Sequence, residues 1–173
     1  ARKLFYEDLY RKDSGNIRLE INPALNLKVT RNPDNPQKML TNTRGIRAHA
    51  NFYDKVYIST QFYENQSFFP GYVDDFIKEY EVVPGQGGVR DYKQNGWDYA
   101  WSSGRIVYQP DDKNTLIAGH GKQFLGNGYR SMFLSDVAFH YPHLQYVYQT
   151  KNFQYSKTLA LLRSRIDPEY GIS

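Results

Sequence analysis

The stretch Ile17-Arg18-Leu19-Glu20-Ile21-Asn22-Pro23-Ala24-Leu25-Asn26-Leu27-Lys28-Val29-Thr30 decides the fold class. Ile17, Leu19, Ile21, Leu25, Leu27 and Val29 hold one parity; Arg18, Glu20, Asn22, Asn26, Lys28 and Thr30 hold the other. Successive side chains on an extended strand point to opposite faces, so this alternation makes one apolar and one polar face. On a helix the same residues would scatter around the circumference. Pro23 cannot donate a ladder hydrogen bond, so it is expected at an edge, at a bulge, or where two shorter strands join.

Working outward, Ile46, Ala48, Ala50 and Phe52 alternate with Arg47, His49 and Asn51, and Val56, Ile58, Thr60 and Phe62 with Tyr57, Ser59 and Gln61. Tyr53-Asp54-Lys55 reads as the tight turn between these arms, each near the length that crosses a bilayer at a tilt. Further strands are expected at about 97–109, 115–124, 144–155 and 157–166. Pro110-Asp111-Asp112-Lys113-Asn114 is one turn, and residues 152–157 hold another. Residues 65–96 read as one long loop carrying a short helix over 72–81, with Asp74 and Asp75 near its positive N-terminal end. The total is about seven strands in one β domain.

Composition narrows the function. Lys and Arg total 22 against 18 acidic residues, a net charge of +4 spread along 173 residues. So mild and dispersed an excess gives little reason to expect nucleic acid. Cysteine is absent, which excludes disulfides and Cys-ligated metal. Aromatics make up 16% of the chain and include 16 Tyr, a residue suited to strands, sugar-binding surfaces and membrane interfaces. No apolar run approaches the ~20 residues of a membrane-spanning helix, but a barrel strand needs only ~9–11 and shows lipid alternate side chains. The alternation fits a soluble sandwich or barrel equally well.

The segment Gly119-His120-Gly121-Lys122-Gln123-Phe124-Leu125-Gly126-Asn127-Gly128-Tyr129-Arg130-Ser131-Met132-Phe133-Leu134-Ser135-Asp136-Val137-Ala138 is more specific. It resembles the signature of the Wzi-like capsule-assembly family of bacterial outer membranes, at Gly119, Gly121, Phe124, Gly126, Gly128, Ser131, Leu134, Ser135 and Ala138. Residues 21–27 look like that family's early strand. The branch it is most similar to is that of Bacteroidetes, which includes surface proteins linked to gliding motility. Two departures weaken any claim to a shared ligand: Phe124-Leu125 stands where some members carry a Trp pair, and Met132-Phe133 replaces smaller aliphatics. The resemblance implies an antiparallel outer-membrane barrel of which residues 1–173 are an N-terminal to middle portion. It also implies a role in attaching or organising surface polysaccharide.

Read from the residues alone, four glycines within 119–128 permit a bulge or sharp bend. Their spacing matches neither a dinucleotide fingerprint nor a phosphate loop. Trp97, Tyr99 and Trp101 share a strand face, as core, interface girdle or sugar-stacking platform. With Arg105, Lys122 and Arg130 they form the candidate carbohydrate site, the cations meeting an anionic polysaccharide through charge-assisted hydrogen bonds. His140 and His143 lack a third metal ligand at a telling spacing and read as loop histidines. Asp74, Asp75, Glu79 and Glu81 read as a solvated helix face. No nucleophile elbow, metal site or cofactor motif is present, so binding is expected and not catalysis. The expected partners are outer-membrane lipid, anionic surface polysaccharide and other envelope proteins. The competing expectations are a soluble β-sandwich carbohydrate-binding or adhesin domain, and a scaffold or pore subunit of an envelope complex.

Overall fold

Residues 7–32, 35–126 and 138–162 are described by a computed structural model. The alternating segments form antiparallel strands: β1 (Tyr10–Ser14), β2 (Ile17–Asn32), β3 (Asn35–Phe52) and β4 (Val56–Ser67). Helix α1 (Gly71–Tyr80) and three short strands follow: β5 (Val82–Val83), β6 (Gly87–Gly88) and β7 (Arg90–Tyr92). The chain then completes the sheet with β8 (Gly96–Tyr108), β9 (Asn114–Gly121), β10 (Tyr141–Gln149) and β11 (Gln154–Ala160). The main sheet has nine strands, in the order β1-β2-β3-β4-β8-β9-β10-β11 with β7 against β8. It is open: β1 and β11 are its edges, and no ladder joins them among the described residues.

Strand pairing extends beyond the sequence pattern in several places. Strand β2 runs unbroken through Pro23, which pairs with Ile46. The β1 ladder starts at Tyr10↔Ile21, so Pro23 lies on a part of β2 that has lost that neighbour and needs no donor toward it. Strand β3 begins eleven residues before Ile46, through a Thr- and Asn-rich stretch whose polarity hides the alternation. At about 3.3 Å per residue, the 16 residues of β2 exceed a bilayer crossing, so the β2–β3 hairpin is longer than a span requires. Strand β4 continues to Ser67, shortening the expected 65–96 loop at its start. Strand β10 begins at Tyr141, which places His143 on a strand and not in a loop. The last hairpin turns earlier than expected, closing with Thr150 N donating to Phe153 O at 2.7 Å.

The expected turns form from their own side chains. Tyr53 and Asp54 both take positive φ, and Asn51 Nδ2 donates to Asp54 Oδ1 at 2.9 Å. Asp111 Oδ1 accepts from the backbone N–H groups of Lys113 (2.8 Å) and Asn114 (2.9 Å), an Asx turn. Hydrogen bonds from Asn114 and from the Lys113 backbone hold the Asp111 carboxyl below its ordinary pKa.

The two faces of the sheet differ in kind. Cross-strand partners share a face, so the ladder places Ile17, Phe52, Val56, Tyr108, Leu116 and Tyr146 in one row. Ile58, Ile106, Leu144 and Leu159 share the next row. Among the described residues nothing covers this apolar face: Leu25 is 70% exposed, Val29 65%, Leu159 59% and Ile106 50%. The opposite, polar face carries the packed elements. Its buried sheet residues Asn65, Ser67, Tyr99 and Tyr141 all have the polar-face parity. Helix α1 lies on this side, with buried Ile77 meeting Tyr99 and Val83, surrounded by Phe69, Val73, Val89 and Trp97. Val73, Phe76, Ile77 and Tyr80 repeat at i, i+3, i+4 and i+7, which gives the helix its apolar stripe.

The buried polar residues under α1 are satisfied locally. Thr43 Oγ1 donates to Asn65 Oδ1 (2.8 Å), and Asn65 Nδ2 donates to Tyr99 O (3.3 Å). Ser67 Oγ lies within hydrogen-bond distance of Thr41 Oγ1 (3.2 Å) and of the Tyr99 hydroxyl (3.3 Å). Unpaired, such groups would each cost about 1–3 kcal/mol.

Candidate ligand-binding cleft

Beside the α1 cluster, the polar face opens into a cleft of about 660 Å³. Its floor follows from the register. Ser59, Arg105, Gly119 and His143 form one cross-strand row, with His49 beyond Ser59. Gln61 and Ser103 form the next row and are joined by a 2.8 Å hydrogen bond. Gly119 has a packing role. A Cβ there would lie 2.8 Å from Gly104 O, 3.1 Å from Arg105 Cβ and 3.2 Å from His143 Nε2. Its missing side chain lets Arg105 and His143 close over one strand, a close approach where the glycine spacing suggested a bend.

One wall is a row of rings. Tyr63 packs over Gly45 and stacks on Trp101 at 4.4 Å between centroids. Trp101 stacks on His140 at 4.9 Å, and His140 on His120 at 6.0 Å. The α1 connection supplies the rim: Gln86 borders the cleft, and Lys122 Nζ donates to Gly85 O at 2.5 Å.

The lining has a consistent chemistry. All four histidines of the chain, His49, His120, His140 and His143, border the cleft together with Arg105 and Lys122, and among the described residues no Asp or Glu does. Burial pushes His140 below the ordinary imidazole pKa, and the nearby Lys122 charge and His120 push the same way, so it is neutral at pH 7. Its Nδ1 and Gln123 Oε1 are buried polar atoms without a hydrogen-bond partner among the described residues. The imidazoles do not assemble into a metal-binding group: no cluster of three or more His, Asp or Glu does so among the described residues.

The structure divides the residues that the sequence singled out. Trp101, Arg105, Gly121, Lys122 and Phe124 line the cleft, and Gly119 lies in its floor. Trp97 and Tyr99 share Trp101's strand face but lie under α1. Tyr99 is 8% exposed, and Trp97 Nε1 donates to Asp74 Oδ1 at 2.6 Å. The three rings therefore do not form one open row, and Trp101 is itself stacked on Tyr63 and His140. Gly126 has φ 148 just past the β9 segment. Arg130, Gly128, Ser131, Leu134 and Ser135 lie outside the described residues.

Asp74 departs from the expected solvated helix face. Besides Trp97 it holds Lys78 Nζ at 2.6 Å. Burial pushes its pKa up, but hydrogen bonds from Lys78 and Trp97 and the Lys78 charge outweigh this and hold it below the usual carboxylate value. The sequence reading missed His49, Ser59, Gln61, Ser103 and Gln145, which the register brings to the cleft from strands β3, β4, β8 and β10. The usable signal was their parity: each sits on the polar side of an alternating segment.

Comparisons with family models, with curated proteins and with solved structures found no match for this chain.

Proposed function

We propose that this chain is a wall section of a bacterial outer-membrane β-barrel that attaches or organises surface polysaccharide by binding and not by catalysis. The observation that carries the membrane part is the inverted polarity of the sheet. Its apolar face is exposed at Leu25, Leu27, Val29, Ile106 and Leu159, while helix, hydrogen-bond network and cleft share the polar face. Exposed apolar side chains in such numbers are costly in water, at about 25 cal/mol per Å² of apolar surface, and cost nothing against hydrocarbon. A barrel wall has this pattern, lipid outside and polar lumen inside. A soluble sandwich would seat a second layer on the Leu25 face, and none covers it among the described residues. The polysaccharide part draws on the resemblance of residues 119–138 to the Wzi-like family and on the basic, hydroxyl- and amide-rich cleft beside them.

The chain contains no cysteine, so single cysteines can be placed at will. Leu27→Cys, Ile46→Cys and Ile106→Cys, labelled with a polarity-sensitive fluorophore in lipid vesicles, are expected to be quenched by a lipid-phase quencher. Glu20→Cys and Ser59→Cys are expected to respond only to an aqueous one. Equal aqueous quenching at all five positions would sink the barrel reading.

A further inference from the structure

We infer that the sheet crosses its bilayer in one direction, with the tight-turn end seated by aromatic side chains in the periplasmic headgroup layer and the end that carries α1 toward the cell surface. This rests on the barrel-wall reading above and adds depth and direction to it.

The apolar face is not uniform along its strands. Phe52, Tyr108 and Tyr146 share one cross-strand row with Val56 and Leu116, and Tyr148 pairs with Tyr155 in the next row toward the turns. Farther from the turns, the described residues of this face on β1–β4 and β8–β11 include only Tyr10 and Phe62 as further Tyr or Phe. A Tyr ring suits the headgroup layer because its body is apolar and its hydroxyl finds water. Lys157 lies opposite Tyr146, where its stem can follow apolar surface while its ammonium reaches the headgroups. The turns just beyond carry Asp54, Lys55, Asp111, Asp112, Lys113 and Lys151, charges that belong in water.

The other margin of the apolar band is charged and oblique. Leu25, Arg44, Glu64 and Ala100 occupy one cross-strand row. Leu25 is exposed on β2, while Arg44 Nη2 on β3 lies 3.6 Å from Glu64 Oε2 on β4. In the next row Leu27 stays apolar beside Asn42, Gln66 and Asp98. The last Leu, Ile, Val or Phe of this face before the far end is Val29 on β2, Phe62 on β4, Ile106 on β8 and Leu144 on β10, a margin that drops toward the turns across the sheet. A bilayer edge crosses ladder rows obliquely in this way when strands tilt by ~35–45° to the barrel axis.

The connections give the direction. At the aromatic end they are tight, at 15–16, 53–55, 109–113 and 150–153. At the opposite end β4 joins β8 through 68–95, which holds α1, and β9 joins β10 through 122–140. Outer-membrane barrels keep their short turns in the periplasm and their long loops outside.

Single-cysteine variants of the full chain test depth and direction separately. In vesicles, a fluorophore on each cysteine is quenched by nitroxide lipids labelled either at the headgroup or near the acyl-chain end. Leu159→Cys and Leu25→Cys are expected to respond mainly to the chain-end label, and Tyr155→Cys and Glu64→Cys mainly to the headgroup label. From Leu159 to Tyr155, ~13 Å apart along β11, the ratio of chain-end to headgroup quenching should fall at least about twofold. Far-UV circular dichroism confirms that each labelled variant keeps its strands. Equal ratios at Tyr155 and Leu159, or at Glu64 and Leu25, would overturn the seating and leave the barrel standing. Chain-end quenching at neither Leu159 nor Leu25 would remove both. For direction, a membrane-impermeant maleimide too bulky to pass a barrel lumen is added to intact bacteria that carry the variants in their outer membrane. Tyr72→Cys, at an exposed position on α1, is expected to react in intact cells, and Asp112→Cys and Lys151→Cys only once the envelope is opened. Tyr72→Cys unreactive in intact cells, or turn cysteines that react there as fast as it does, would overturn the orientation.

Discussion

The two faces of one sheet present opposite environments on the same strands. Ile106 and Arg105 are neighbours on β8, yet Ile106 stands half exposed on an uncovered apolar face while Arg105 borders a polar cleft. On the apolar side no sheet side chain is buried among the described residues; on the polar side Asn65, Ser67, Tyr99 and Tyr141 are. A protein that folds against water buries its oil and shows its polar groups. Here helix α1 and its apolar cluster pack on the polar side of the strands, and the oily side stays open among the described residues, the contrast that the proposed barrel wall requires.

The sharpest way to break the comparison is to move one charge by one residue. Leu144→Arg places a cation on the apolar face and is expected to destabilise the vesicle-folded protein by about 2–4 kcal/mol, as for barrel positions near the bilayer centre. Gln145→Arg, one position along on the polar face, should cost no more than about 1 kcal/mol, the net worth of the hydrogen bond that Gln145 Nε2 donates to Ser156 Oγ at 3.0 Å. Urea titration of tryptophan fluorescence in lipid vesicles measures both, and equal losses would erase the distinction between the faces.

The next test contrasts packing with exposure. Ile77 is fully buried at the centre of the α1 cluster, so Ile77→Ala should cost about 2–5 kcal/mol by leaving a cavity. Leu27→Ala, at a side chain 68% exposed, opens no cavity and should cost markedly less in the same titration. A third variant probes close approach within the polar face. A Cβ on Gly45 would run into the Phe62 carbonyl and the Tyr63 ring, so Gly45→Ala should cost about 1–3 kcal/mol. It should also disturb the near-UV signal of the Tyr63–Trp101 pair.

The smallest expected effect is electrostatic. The Asp74 pKa is lower folded than unfolded, so its contribution is complete above the ordinary value of 3.8 and disappears as pH falls through the folded value. Trp97 fluorescence, read in a Trp101→Phe background, should report loosening of α1 in that acid window. Asp74→Asn should abolish this transition and cost about 1 kcal/mol at neutral pH, the net worth of a hydrogen bond.

Much of this architecture was legible as parity. The run Ile17–Thr30 and the arms around Tyr53-Asp54-Lys55 announced antiparallel strands with one apolar face, because period two is a local property of extended backbone. The helix was legible to within a residue at each end, as the stretch 72–81 with Asp74 and Asp75 near its N-terminal end. Strand β3 before Ile46 was not, since Thr41, Asn42, Thr43 and Arg44 are polar on both faces and pairing with β2 supplies what pattern does not.

The cleft was half legible. Arg105, Lys122 and Trp101 stood out by chemical type, but His49 lies more than seventy residues before His120, and no local signal connects them. Their convergence depends on register: His49↔Ser59, Ser59↔Arg105, Arg105↔Gly119 and Gly119↔His143 are four separate strand pairings. By itself the sequence determined which side of each strand is oily, because that depends only on which residue follows which. Only the tertiary structure decided that the polar side would hold the helix, the buried hydroxyls and the cleft that all four histidines border, because those contacts depend on long-range pairing.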